Sequence, residues 1–294
     1  MITAKWKDYE VIACGDGEKL ERWANVYLLR PDPQAIWKAP FELRTFPKLN
    51  AHYHRYSDGG GRWETLKPFP EEWTVSWEDC KFVVKPMGFK HTGLFPEQAV
   101  NWQKMRDTVS KNRIQPTVLN LFGYTGGATV ALAKSGAIVT HVDAAKGMVE
   151  RCKQNAQISN VKSDAIRYIV DDCKKFVQRE LRRGKRYNAI IMDPPSYGRG
   201  PTGEMWKIED NLYELIMLVK EVLNEPIFFL INSYTTGLQP TVIRNMLSIA
   251  MNGNNGSIDA YELAIPTTDT SCGEIFLPCG CSGLWTKRGV SNAK

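Results

Sequence analysis

The chain has 294 residues, 43% of them hydrophobic and 24% charged, proportions that suit a soluble globular protein and exclude collagen, disordered tails and disulfide scaffolds. The net charge of +6 is 38 basic against 32 acidic residues, and residues 174–186 (KKFVQRELRRGKR) alone hold seven basic residues and one acid, so the remainder sums to zero. No apolar run approaches the roughly 20 residues of a membrane span, and MITAKWKDYE lacks an apolar signal core, so the expectation is a cytoplasmic protein with no membrane partner.

In chain order, six of the nine tryptophans, at 6, 23, 37, 63, 73 and 77, fall in the first 77 residues. Short segments at 26–29, 73–77 and 81–84, separated by Pro and Gly clusters, predict a β-rich, Trp-rich domain over residues 1–90. The tryptophans are expected to be core rather than platforms for unpaired bases, because Trp is highly buried on average.

From Thr117 onward short apolar runs alternate with helical segments, the mark of βαβ units. Strands are expected at 117–122, 138–142, 166–170, 189–192, 227–231 and 258–265, with a last one at 283–286. Helices are expected to start near Gly126, Ala145, Cys173, Ile208 and Pro240. The predicted fold class is α/β, a Rossmann-like seven-stranded sheet over residues 91–294 behind the small β-rich domain.

The first of these strands runs into the loop FGYTGGA, with Phe122, Gly123, Tyr124, Thr125 and Gly126 ahead of a helix. Glycines let backbone approach a ligand, and helix N-terminal amides are unpaired donors. The second strand ends in Asp143, an acid 20 residues after Gly123, placed to accept from a ribose diol. A nucleoside-containing cofactor is implied. Nicotinamide dinucleotides are the weaker reading, since Tyr124 stands where G-x-G-x-x-G needs its second glycine.

The third strand ends in Asp171 and Asp172, one expected to be a cap and Asp172 taken as the acceptor for an adenine amino group. The fourth ends in Asp193, Pro194, Pro195, Ser196 and Tyr197, an acid, a rigid Pro-Pro and an aromatic at the edge where α/β sheets bind ligands.

Together these segments resemble the class I S-adenosylmethionine-dependent methyltransferases. With the run KHTGLFPEQ over residues 90–98, they are similar to the ribosomal-RNA large-subunit methyltransferase group, whose members modify cytosine C5 or guanine N7. The resemblance covers about residue 86 to the end. It implies S-adenosyl-L-methionine as cofactor, with Phe95 and Gln98 closing over it, the loop from Phe122 to Gly126 holding its methionine part, and Asp143 and Asp172 binding ribose and adenine. Asp193 and the carbonyl of Pro194 would orient the acceptor, and Tyr197 would stack on an extruded base.

The partner expected is RNA, ribosomal above all, with phosphate contacts from Lys90 and Arg199 beside Lys85 and Lys207. The cationic run at 182–186 is expected to be solvated surface far from the cofactor. Where cytosine-C5 members carry a nucleophilic cysteine after strand five, this chain reads Leu-Ile-Asn-Ser-Tyr, with Ser233 in that place. Guanine N7 is therefore the favoured acceptor, ahead of an exocyclic amine, because Ser196 separates Tyr197 from Pro-Pro. A small-molecule or protein methyltransferase of the same fold, or a noncatalytic RNA-binding module, are the alternatives. The sequence does not speak to oligomeric state.

Seven cysteines in no disulfide pattern read as reduced thiols. Cys272, Cys279 and Cys281 offer three thiolates near the C-terminus, one short of the usual structural zinc set.

Overall fold

The computed structural model of the chain describes residues 1–2, 6–56, 60–88, 90–199 and 205–288. They form two compact units, Met1–Val100 with Leu263–Cys279, and Asn101–Glu262 with Gly280–Lys294. The boundary expected at residues 90 and 91 thus lies inside the first unit, which also takes back a later segment of the chain.

The first unit is built on strands β1 (Tyr9–Gly15), β2 (Glu18–Trp23), β3 (Val26–Pro31), β4 (Ala51–Arg55) and β5 (Gly61–Thr65), in that order in one sheet. Asp16 and Gly17, at φ 52° and 79°, give β1 and β2 a two-residue hairpin whose twist matches the strands. A second hairpin pairs β6 (Trp73–Trp77) with β7 (Cys80–Val84).

Trp23 and Trp77 are fully buried, while the half-buried Trp6, Trp37, Trp63 and Trp73 each donate the indole N–H to a main-chain carbonyl, of Pro96, Cys14, Met87 and Trp23 respectively. Trp23 and Trp77 are core, as expected, while the other four keep part of the ring exposed and are held by their hydrogen bonds to backbone.

Buried charge is concentrated beside them. Glu21 takes hydrogen bonds from the Tyr9 hydroxyl at 2.8 Å and from two guanidinium nitrogens of Arg30 at 2.5 and 2.7 Å, and Arg30 donates onward to the carbonyl of Lys90 at 2.7 Å. This anchors the start of the KHTGLFPEQ segment to β2 and β3.

The second unit begins within helix α1 (Ala99–Ser110) and continues through β8 (Thr117–Leu121), α2 (Gly127–Lys134), β9 (Ile138–Asp143), α3 (Lys146–Ile158), β10 (Ile166–Val170), α4 (Cys173–Arg182) and β11 (Tyr187–Met192). Then come a small hairpin of β12 (Tyr197–Arg199) and β13 (Met205–Lys207), α5 (Ile208–Lys220), β14 (Leu223–Ser233), α6 (Pro240–Ala250), β15 (Gly256–Pro266) and β16 (Phe276–Lys287). The seven-stranded sheet runs β10-β9-β8-β11-β14-β16-β15, parallel from β10 to β14, with β16 antiparallel to β14. All seven strands and five helices expected from the sequence are present.

Strand order reverses between β8 and β11, which opens a crevice at their carboxyl ends. A core of Leu119, Leu121, Ile190, Met192, Phe229 and Ile231 from the sheet and Phe176, Leu215 and Ile243 from the helices holds it. No helix among the described residues is long and apolar enough to cross a membrane.

Candidate cofactor and acceptor site

Parallel strands that end at one edge deliver their last residues to one place, and here Phe122, Asp143, Asp171, Asp172, Asp193 and Ser233 all fall at the carboxyl edge of the sheet. The loop after β8 is held in a contorted path. Phe122, Tyr124 and Gly126 all have left-handed backbones, at φ 57°, 51° and 85°, which is routine for glycine but costs a non-glycine residue about 1 kcal/mol or more. Such strain persists where surrounding contacts impose it.

Those contacts are visible. The Tyr124 N–H donates to Oδ2 of Asp143 and the Ala145 N–H to Oδ1, both at 2.8 Å, so one carboxylate fixes the loop after β8 and the turn after β9 together. Each oxygen keeps a second lone pair. The half-buried Asp143, the acid expected at the end of the second strand, is oriented by these two amides.

The glycines of the loop serve a different purpose from the one their spacing suggests. A Cβ on Gly123 would lie 2.4 Å from the His141 ring, one on Gly126 2.2 Å from Sγ of Cys152, and one on Gly127 2.5 Å from the Trp102 ring. The absent side chains are used by the protein's own interior. His141 is fully buried, and its Nδ1 lies 2.9 Å from the Thr129 hydroxyl, which accepts from Asn120 at 2.8 Å. Burial pushes the His141 ring down to about 4, so it is neutral. Asn155 donates to the Thr125 carbonyl at 2.9 Å. This polar layer under the loop was missed in the sequence; its signal is Asn120 and His141 interrupting strands that otherwise read as continuous apolar runs.

Asp172 and Asp171 divide their roles. Asp172 is the N-cap of α4, its Oδ1 accepting from the Lys175 N–H at 2.8 Å, whereas Asp171 pairs with Arg179. The cap is therefore the residue expected to be the ligand, and an adenine contact has to share that carboxylate with the helix.

After β11, Asp193 is half-buried and Pro194 buried, while Pro195, Ser196 and Tyr197 are exposed. Tyr197 is 52% exposed, with its hydroxyl 2.8 Å from Sδ of Met205. Trp206, which the sequence reading passed over, ties this motif to the loop: its indole N–H donates to the Pro195 carbonyl at 2.6 Å and its ring lies 6.1 Å from that of Phe122.

Other expected residues are placed as follows. Phe95 and Gln98 lie in the first unit, where Phe95 caps the short helical turn Pro96–Gln98 that leads into α1. Lys90 is also in the first unit, half-buried, its ammonium donating to the Pro31 carbonyl at 3.2 Å and its pKa lowered by burial. The backbone of Arg199 ends β12, and its side chain lies outside the described residues. Arg182, Arg183, Lys185 and Arg186 are exposed at the end of α4 remote from its N-cap.

Ser233 is buried, its hydroxyl accepting from the Thr235 N–H at 3.2 Å. Cys281, its register partner on β16, is buried, donates to the Leu238 carbonyl at 3.0 Å and is pushed by burial to about 11. Cys272 is exposed. The three C-terminal cysteines are not among the groups close enough to share a metal ion in the described residues.

The profile of the S-adenosylmethionine-dependent methyltransferase family matches residues 35–226, more than half of the chain, and the chain belongs to that family, whose cofactor is S-adenosylmethionine. A solved S-adenosylmethionine-dependent methyltransferase from Agrobacterium tumefaciens is 32% identical and superposes with a TM-score of 0.91 over 98% of this chain and 93% of its own. A structure of a methyltransferase candidate with S-adenosylhomocysteine bound shares the fold, at 18% identity, TM-score 0.74, 96% of this chain and 76% of its own.

Among curated relatives, ribosomal RNA large subunit methyltransferase K of Neisseria meningitidis is 25% identical over 191 residues, 62% of this chain and 53% of its own length. Methyltransferase I of Aeromonas salmonicida is 31% identical over 107 residues, 36% of this chain and 26% of its own. The chain thus spans about half or less of these curated relatives.

The residues present fit the cofactor. The donor set is a carboxylate at the end of the second parallel strand, already oriented by two amides, beside a loop with left-handed backbone at three alternate residues, Phe122, Tyr124 and Gly126.

Proposed function

We propose that this protein methylates a base of ribosomal RNA, at nitrogen and with guanine N7 as the acceptor. The observation that carries the reading is the exposed Tyr197 ring displayed two residues beyond the Pro-Pro that follows Asp193, at the same sheet edge as the Asp143 cradle. The kinship with ribosomal RNA large subunit methyltransferases supports RNA as the substrate.

Bound S-adenosylmethionine supplies an electrophilic methyl on a sulfonium sulfur. Asp143 would hold its ribose, Asp172 its adenine, and the loop from Phe122 to Gly126 its methionine part. Tyr197 would stack on the extruded base, and the Pro194 carbonyl and Asp193 would fix the angle of the ring. Guanine N7 carries its lone pair in the ring plane and loses no proton when it forms the new N–C bond, while the S–C bond breaks toward sulfur. No general base is then required. The purine becomes cationic as the bond forms, and the Asp193 carboxylate is of the sign that offsets that charge.

Comparing modified nucleosides by mass spectrometry in ribosomal RNA from cells with and without the gene tests the proposal. Loss of 7-methylguanosine in the deletion supports it. Loss of 5-methylcytidine overturns the nitrogen assignment, and an unchanged nucleoside profile overturns RNA as the substrate.

A further inference from the structure

A cluster in the first unit takes no part in the chemistry proposed above. His52 and His54, two apart on β4, project from one face of the strand, and Glu64 on β5 stands directly opposite His52. The imidazole centroids are 4.0 Å apart. Nε2 of His54 is 2.7 Å from a Glu64 oxygen, and Nε2 of His52 is 2.7 Å from Oε1 of Glu18, which comes from β2. One donor atom each from His52, His54 and Glu64 lies within 4.8 Å of the others.

We infer that His52, His54 and Glu64, with Glu18 as the fourth donor, bind a divalent transition-metal ion of the zinc class. Two imidazoles and two carboxylates match Zn²⁺, Co²⁺ or Ni²⁺, whereas Mg²⁺ and Ca²⁺ select oxygen-only sets. Donor atoms around one tetrahedral zinc stand roughly 3.4 Å apart, so the three donors of His52, His54 and Glu64 have to close by at most about 1.4 Å, and Glu18 reaches the ion from its place 2.7 Å from Nε2 of His52. The freedom to do so is in the right place: the His54 and Glu64 side chains are 35% and 51% exposed, while His52 and Glu18, at 5% and 16%, form the fixed inner wall.

Without metal, Nε2 of each imidazole is hydrogen-bonded to a carboxylate. Binding replaces these two hydrogen bonds by bonds from the same Nε2 atoms to the metal. Arg44 lies 3.4 Å from the second Glu18 oxygen and Arg62 stands opposite His54; two carboxylates are therefore needed to balance them before an ion can enter. Bound there, the ion would clip β2, β4 and β5 together.

The test uses the metal-free full-length protein. Titration with Co²⁺ followed by its visible absorption, and with Zn²⁺ by calorimetry, is expected to show one ion per chain, with the cobalt spectrum of a four-coordinate nitrogen and oxygen site that Zn²⁺ displaces. His54→Gln and Glu64→Gln change side chains at the solvent side of the sheet. Each is expected to weaken Zn²⁺ binding at least tenfold and to leave the metal-free thermal melt unchanged. Cys272→Ser, which removes the exposed thiol, is expected to bind as the parent does. Absence of stoichiometric binding, or binding that survives both the His54 and Glu64 substitutions, reduces the cluster to two His-Glu hydrogen bonds and overturns the proposal.

Discussion

The indole N–H of Trp206 donates to the carbonyl of Pro195 at 2.6 Å, and the same ring leans on Phe122 with centroids 6.1 Å apart. One side chain on β13 thus reaches both the motif after β11 and the loop after β8. Phe122 holds a left-handed backbone without being glycine, and a strained residue keeps its place only when neighbours over-determine it.

Trp206→Phe keeps a ring for Phe122 and removes the hydrogen bond, worth about 1 kcal/mol. The expected result is a kcat reduced roughly fivefold with the KM for S-adenosylmethionine little changed, because the positioning of the acceptor motif is what suffers. Trp206→Ala is expected to raise that KM as well. Steady-state kinetics on folded variants checks both, and a Trp206→Ala enzyme with parental constants would dissolve the clamp.

Asp143→Ala removes the acceptor of two loop amides as well as a charged partner for a ribose diol, each charge-assisted bond being worth about 1.5 to 3 kcal/mol. Affinity for S-adenosylmethionine is expected to fall by two orders of magnitude or more in calorimetry. Asp143→Asn keeps one acceptor oxygen and is expected to fall between. Unchanged affinity in a folded Asp143→Ala protein would take the residue out of the site.

Gly123→Ala places a methyl 2.4 Å from the His141 ring, and overpacking of a filled interior costs about 1 to 3 kcal/mol. The single variant is expected to melt lower and bind cofactor more weakly. Adding His141→Ala makes room for the methyl, so the double variant is expected to be more stable than the sum of its single changes, a positive coupling that a double-mutant cycle measures. Strict additivity would mean the ring is not what excludes a side chain there.

The sheet was legible because its central strands β8, β9, β11 and β14 are largely buried on both faces and read as short apolar runs, and the candidate site because βα loops carry the residues that break that pattern. Asp143, the Asp171-Asp172 pair and Asp193 each follow such a run directly. Less was readable in the first unit, where β1, β2, β4 and β5 mix charge with apolar residues: YEVIACG and EKLERW hide the strand period behind Glu21, which is buried only because Arg30 and Tyr9 meet it across the sheet. Nothing local shows that the Lys90 ammonium turns to the Pro31 carbonyl, either. Pairings between residues distant in sequence decide these cases, and spacing along the chain does not encode them.

Acid is expected to unfold the protein through identifiable groups. Burial alone would raise the Glu21 carboxyl, but Arg30 and Lys19 outweigh it and hold it at about 2, below its ordinary 4.5; its stabilisation is complete above 4.5 and is lost as pH falls toward 2. His91 and His141 are both pushed from 6.5 to about 4, chiefly by burial, so below 6.5 the unfolded chain takes up their protons first and the folded state loses ground. Melting temperature is expected to be level above about pH 7 and to fall progressively below pH 6.5. A melt unchanged down to about pH 5 contradicts the assignment of a buried and a half-buried neutral histidine.

The acceptor atom can be settled by asking whether a covalent adduct forms. Cytosine C5 chemistry needs a thiolate to attack C6, and the structure offers poor ones: Ser233 spends its hydroxyl on the Thr235 N–H, Cys281 donates to Leu238 and is raised to about 11 by burial, and Cys152 and Cys173 are buried and raised further. A thiol kept protonated is not a nucleophile. Incubation with S-adenosylmethionine and RNA carrying 5-fluorocytosine is therefore expected to leave no protein-RNA complex after denaturation, and Cys281→Ser is expected to retain methylation activity. A complex that survives denaturation and disappears in Cys281→Ser would identify that thiol as the nucleophile and replace direct transfer to nitrogen by attack at cytosine C6.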